Sequence, residues 1–238
     1  MSGHSKWANI KHRKASQDAK RGNIFTKLAK DIAIAARGGG DPTMNFSLKL
    51  VMDRAKSANM PKDNIERAIK RGTGELKDGV VIEEIVYEGY GPGQIAMLIK
   101  TATDNKNRTL GEVRNLMQKN GGKMVEGGSV SWQFEQVGSL LIGAEGKADN
   151  QIEMDILESG AKDFREADED HFIFTASQDL QKVREYFEKN EYEIKDTGLI
   201  FLAKDTIEID EKTRISYEKL LEALDESDDV ADIYDNIA

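Results

Sequence analysis

Lys6, Lys11, Arg13, Lys14, Lys20 and Arg21 crowd the start of the chain, with Trp7, His4 and His12 set among them. Each cation can neutralise one phosphate and release its condensed counterion, which is the main driving force for holding a polyanion. An indole interleaved with cations suits the face of a nucleobase, where stacking is worth roughly 1–3 kcal/mol per base. It suits equally a place in the core of the unit that carries the segment. His12 is a second stacking candidate. The chemistry on offer is non-covalent: a grip on a phosphate backbone with one or two ring contacts.

Those side chains need a scaffold. A helix is expected over about Ser16 to Arg37, although Gly22 weakens its first turns by about 1 kcal/mol relative to Ala. At about 100° per residue, Ile24, Phe25, Leu28, Ile32 and Ala36 share one side. Lys20, Lys27, Lys30 and Arg37 share the other, so the spacing predicts a basic face held up by a buried apolar one. Gly38-Gly39-Gly40 ends this helix. Asp41-Pro42 then predicts an N-cap and first-turn proline for a second helix burying Phe46, Leu50, Val51 and Ala55. Asn59-Met60-Pro61 closes it and opens a third helix, with Ile65, Ala68 and Ile69 inward, that ends before Gly72-Thr73-Gly74. The reading is a basic three-helix domain over residues 1–77.

The period changes at Val80. Val80–Tyr87 and Ile95–Thr103 read as strands joined by the turn residues Glu88-Gly89-Tyr90-Gly91-Pro92-Gly93. A helix over Thr109–Asn120 and a strand over Val130–Phe134 follow, and this β-β-α-β set lacks a partner helix. From Gly138 the expected order is strand 139–142, helix 150–160, strands 162–167 and 171–175, helix 180–190 and strand 192–202. That is β-α-β-β-α-β, the ferredoxin-like order. A last helix at Ser216–Leu224 and a strand near Val230–Tyr234 return to complete the earlier set. The fold class is therefore α+β: a three-helix domain, a middle α/β lobe of residues 78–135 and 206–238, and an inserted ferredoxin-like lobe of residues 136–205.

Other motifs carry less. The glycines around Tyr90 sit between two strands rather than at a strand-to-helix turn, and Pro92 removes an amide donor, so they read as a hairpin and not a phosphate cradle. Asp104-Asn105-Lys106-Asn107-Arg108-Thr109 lies where a strand meets a helix. Either Asp104 or Asn107 caps that helix, or Arg108 and its neighbours meet a nucleic-acid backbone beside Tyr90. The three His are isolated and Cys is absent, so neither a metal site nor a disulfide framework is expected. No nucleophile elbow or Ser/His/Asp arrangement is visible, and no enzyme activity or cofactor is expected. Acidic runs such as Asp168-Glu169-Asp170 read as solvated loops.

The 238 residues, 39% of them hydrophobic, provide for one to three small domains. No apolar run approaches the roughly 18 residues of a membrane span, and the start lacks the apolar stretch of a signal peptide. The expectation is a soluble, cytoplasmic protein. Its net charge of −9 hides a polarity. Residues 1–77 hold 17 Lys and Arg against 7 Asp and Glu, whereas the remainder holds 17 against 36. A cationic head on an anionic body points to a nucleic-acid partner.

The opening Gly3-His4-Ser5-Lys6-Trp7-Ala8-Asn9-Ile10-Lys11-His12-Arg13-Lys14 closely resembles the signature of the YebC/PmpR family. The resemblance continues through Arg37-Gly38-Gly39-Gly40-Asp41-Pro42, Asn59-Met60-Pro61-Lys62-Asp63-Asn64-Ile65 and the Tyr87–Gly93 run. It extends through Thr103–Thr109 and Gly127-Gly128-Ser129-Val130, in order along the chain. Asn23 and Gln94 depart from the family's frequent Lys and Gly. The family comprises bacterial proteins described as transcriptional regulators and is related to the mitochondrial translational activator of cytochrome c oxidase. The resemblance implies three domains, the third inserted in the second, and no catalysis. It implies either promoter binding or a ribosome-associated role in synthesis through proline-rich stretches. The partner expected is DNA, or alternatively ribosomal RNA, with no membrane or small-molecule ligand and a monomer or weak oligomer. The phosphate candidates are Lys6, Lys11, Arg13, Lys14, Lys20, Arg21, Lys27, Lys30 and Arg37; Trp7 and His12 are stacking candidates, and Tyr90 and Arg108 secondary ones. No helix-turn-helix with a readable recognition helix is apparent, so backbone or shape recognition is expected over base readout.

Overall fold

Helix α1 (Arg21–Ala35) has two buried faces, and that decides how the first half of the chain is built. The computed structural model describes residues 21–76, 79–143, 146–167 and 170–238. Leu28, Ile32 and Ala36, the stripe expected from the period, pack with Leu48 and Ala55 of α2 (Phe46–Ser57) and Ile65 and Ala68 of α3 (Lys62–Gly72). Full burial of each Leu or Ile side chain here is worth about 1.5–3 kcal/mol, which makes this the core of the helical unit. On another side of α1, Ala33 and Ile34 pack against Ile82 and Ala102, and Ala102 belongs to the sheet that follows. The helix is thus shared between two cores.

Gly72 permits the close crossing of α3 over α1. A Cβ there would lie 2.2 Å from the Ala33 carbonyl oxygen and 2.7 Å from the Ala36 Cβ. The second helix starts later than Asp41-Pro42 predicts. Its N-cap is Asn45, whose side chain accepts from the Leu48 amide. Asp41 instead closes a turn, accepting from the Thr43 amide at 2.9 Å and its hydroxyl at 2.7 Å. Leu48 is fully buried, whereas Phe46 and Val51 are half-buried.

The first sheet runs β3-β1-β2-β8, built from β1 (Glu83–Tyr90), β2 (Ala96–Thr103), β3 (Lys123–Val125) and β8 (Val230–Asp235). All three pairings are antiparallel. Val113 and Met117 of α4 (Lys106–Lys119) and Tyr217, Leu220 and Leu224 of α7 (Glu211–Asp225) pack with Met97, Ile99 and Ile233. α7 and β8 therefore supply the partner helix and strand that the β-β-α-β segment lacks. Two expectations change here. The cap of α4 is Asn105, which accepts from the Arg108 amide, rather than Asp104 or Asn107. The strand expected at Val130–Phe134 is a turn, Ser131–Gln133, leading into β4 (Phe134–Gly143).

The second sheet runs β5-β6-β4-β7, with β5 (Asp163–Ala167), β6 (Asp170–Ala176) and β7 (Glu193–Ala203). Helices α5 (Asp149–Ser159) and α6 (Leu180–Lys189) alternate with these strands in ferredoxin-like order. Gln151 and Asp155 hydrogen bond along α5, and the Asp155 carboxylate accepts from Tyr192 at 2.6 Å. The chain divides into two compact units, Glu135–Leu202 and the remainder. Among the described residues, no helix is long and apolar enough to cross a membrane.

Candidate nucleic-acid interface

Lys6, Trp7, Lys11, His12, Arg13, Lys14 and Lys20 lie outside the described residues, as does the side chain of Arg21. The structure places the rest. Lys27 donates to the Asp225 backbone oxygen at 2.7 Å and to its carboxylate at 3.2 Å. Lys30 donates to the Asp228 backbone oxygen at 2.7 Å and to the Asp229 carboxylate at 2.5 Å. Arg37 donates to the Ile82 carbonyl. The face expected to be open to a polyanion is therefore occupied from within the chain. The reason is electrostatic: Asp225 ends α7, where exposed carbonyls carry the negative end of the helix dipole, and acidic residues follow directly. Two lysines one turn apart on α1 meet that terminus.

Asp229 is the hub of the contact. One carboxylate oxygen takes Lys30; the other accepts from Arg108 at 2.9 Å, Thr109 at 2.7 Å and Thr103 at 3.2 Å. Burial pulls its pKa up, but the hydrogen bonds from Lys30, Arg108 and Thr109 outweigh this and hold the carboxyl down at about 2. Arg108 also bonds Asp104 at 2.8 Å. It is thus engaged as part of the clamp, not held out toward a ligand. Tyr90 ends β1, half-buried, with the Lys123 ammonium 5.5 Å from its ring centre.

A second charged group lies where α1 meets the sheet. Asp31 feels the charges of Asp232 of β8, Arg54 of α2, Lys100 of β2 and Glu84 of β1. Burial, then the charge of Asp232, raise its pKa to about 6 against the opposing pull of Arg54 and Lys100. Lys100 pairs with Glu84 at 3.0 Å.

Beside the clamp opens a cleft of about 870 Å³, with Asn64, Arg67 and Arg71 of α3 on one wall and Asp104, Arg108 and Glu112 on another. Asn64, Arg67 and Arg71 are spaced i, i+3, i+7, so they share a helix face. The walls mix signs, so this is no uniformly positive trough. The exposed cations of the helical domain include Lys49, Lys56, Lys62, Arg67 and Lys70 on α2 and α3. Among the described residues, no group of three or more His, Asp or Glu is placed to hold a metal.

Residues 5–75 match the family signature described as the TACO1/YebC protein N-terminal domain, and residues 82–237 that described as the TACO1/YebC second and third domain. The chain belongs to the TACO1/YebC family. Relatives named "Probable transcriptional regulatory protein" include one from Maridesulfovibrio salexigens, 49% identical over 99% of this chain and 95% of that protein. Another, from Thermoanaerobacter pseudethanolicus, is 46% identical over 100% of this chain and 97% of its own length. A crystal structure of a conserved hypothetical protein from Aquifex aeolicus superposes with a TM-score of 0.90 at 42% identity, covering 98% of this chain and 97% of that one. The TACO1/YebC signatures thus extend over both sheets and the helical domain.

Trp132 is 65% exposed. A strand at 130–134 puts it on the same side as Val130 and Phe134, both buried. The short 3₁₀ turn rotates it away from them and out to solvent.

Proposed function

We propose that this member of the TACO1/YebC family is a nucleic-acid-binding regulator of gene expression, and in its first reading a DNA-binding transcriptional regulator that works through the basic N-terminal domain. The observation that carries the reading is the charge polarity: 17 Lys and Arg against 7 Asp and Glu in residues 1–77, on a chain whose net charge is −9. Lys6, Lys11, Arg13, Lys14 and Lys20 supply phosphate contacts, with Trp7 and His12 as ring contacts. The exposed cations of α2 and α3 add further positive charge to the same domain. The names of the relatives support a regulatory role. About six phosphate contacts give a log-log salt slope near −5 on duplex DNA. Filter binding across salt concentration is the test; a flat response, or full affinity after removal of residues 1–20, sinks the proposal.

A second reading is favoured by the setting of α1. Its faces are taken by the helical core, the sheet and the α7 terminus, so it is not a helix free to enter a major groove. Recognition by shape and backbone then suits folded RNA, and a ribosome-associated role in translation follows. Crosslinking in cells followed by sequencing separates the two. Dominant ribosomal RNA, lost on Lys11→Glu with Arg13→Glu, replaces the transcriptional reading.

A further inference from the structure

We propose that Trp132 is a stacking platform for one unpaired base of a single-stranded nucleic acid, a contact separate from the basic head. This rests on the nucleic-acid reading above. The indole is tethered at its polar edge while most of its surface stays open to solvent. Its ring nitrogen donates to the Ser129 carbonyl at 3.1 Å, and its own carbonyl accepts from the Lys204 ammonium at 2.8 Å. The loop beneath is pinned by Glu88, a carboxylate 7% exposed, which accepts from the amides of Gly128 at 2.7 Å, Val130 at 2.5 Å and Ser131 at 3.0 Å. These charge-assisted bonds hold the Glu88 pKa below its ordinary value in spite of burial. Val130 and Phe134 anchor the turn from inside. A buried carboxylate spent on three loop amides sets the geometry of a segment whose outward product is one exposed ring.

A ring held this way loses little side-chain freedom on binding, so stacking free energy is retained as affinity. The surroundings fit a base. A Cβ added at Gly127 or Gly128 would meet nothing within 4 Å, so this stretch of the same loop is open. Ser129, Ser131 and Gln133 flank it in sequence and offer polar groups, while Lys204 brings a cation within reach of the adjoining phosphate. A protein partner needs about 800 Å² on each side, with apolar residues grouped at its centre. The apolar neighbours of Trp132 in sequence, Val130 and Phe134, are buried and supply no such group.

The test uses the full chain carrying Trp7→Phe, which leaves Trp132 as the only tryptophan. Its emission is followed as a single-stranded 12-mer RNA, the DNA 12-mer of the same sequence, or the corresponding duplex is added. The expected result is saturable quenching by single strands and none by duplex; whichever single strand quenches more strongly identifies the physiological chemistry. Adding Trp132→Ala weakens single-strand affinity by roughly 5- to 100-fold, the equivalent of one lost stack, and Trp132→Phe restores most of it. Circular dichroism melts confirm that the exposed substitution leaves folding intact. Unquenched emission with unchanged affinity in Trp132→Ala overturns the platform and leaves the nucleic-acid reading standing. So does equal quenching by duplex. Failure of the unsubstituted chain to retain any nucleic acid at low salt removes that reading, and the platform with it.

Discussion

The Nζ of Lys30 lies 2.5 Å from a carboxylate oxygen of Asp229, across nearly 200 residues of sequence. The pair joins the helical domain to the turn between α7 and β8, with side chains 16% and 5% exposed. Breaking a buried pair by removing one partner is costly, because the other charge stays buried and unmatched. Asp229→Ala is expected to lower stability by about 3 kcal/mol, measured by urea denaturation. Acid should act in the same sense. A carboxyl held at about 2, below its ordinary value, contributes stability that is full above about pH 4 and lost as pH falls toward 2. A variant as stable as the parent contradicts the hub.

Lys27 is held by Asp225, whose carboxylate is more exposed than that of Asp229. Asp225→Asn weakens the competitor for this lysine without disturbing the hub. On the nucleic-acid reading, the ammonium, released from the carboxylate and kept by the Asp225 backbone oxygen alone, adds up to one phosphate contact. Affinity should rise by roughly 2- to 5-fold at low salt, with a log-log slope more negative by about 0.9. Unchanged affinity and slope mean that Lys27 serves the fold alone.

Asp31 makes the opposite pH prediction. Its pKa is raised to about 6, so the stability it contributes is full below about pH 4 and lost as pH rises through 6. Asp31→Asn, which keeps the shape without the charge, should raise the melting temperature at pH 8 and leave it unchanged at pH 4. The gain at high pH is at most about 2–3 kcal/mol, two pKa units' worth. A melting temperature that shifts equally at both pH values rules out this origin.

Gly72→Ala tests the helix crossing. The added methyl falls on the Ala33 carbonyl oxygen, so backbone rather than a flexible side chain must give way. The expected loss is about 1–3 kcal/mol, read by thermal denaturation, against a gain of up to about 1 kcal/mol for Gly111→Ala in the interior of α4, where a Cβ meets nothing within 4 Å.

Much of the architecture is written in local pattern. The apolar spacing of Leu28, Ile32 and Ala36 locates α1, and the β-rich runs around Ile85 and Ile99 locate the first hairpin. The ferredoxin-like order follows from regular alternation. Misplaced details arise where two residues compete for one role. Asp41 and Asn45 are both good caps, and only tertiary packing gives the helix to Asn45 while Asp41 closes a turn with Thr43. Val130, Trp132 and Phe134 have a strand's period of two, yet the amides that Glu88 gathers bend the chain instead. The candidate site was less legible. Lys27 and Lys30 announce their charge in the sequence but not their partners, which sit beyond the inserted unit. Composition assigns a sign to a surface; only the fold says whether that surface is already occupied.

The Lys204 amide donates to the Gln133 carbonyl at 2.9 Å, so the two points where the chain leaves for residues 135–202 and returns from them are stitched side by side. The excursion therefore imposes almost no span on its host. A tight two- to four-residue turn has the reach to join Phe134 to Ala203. Evolution, or an engineer, can lengthen, exchange or excise the guest cassette while the β3-β1-β2-β8 sheet closes as before, leaving that part of the molecule free to diversify at its own pace.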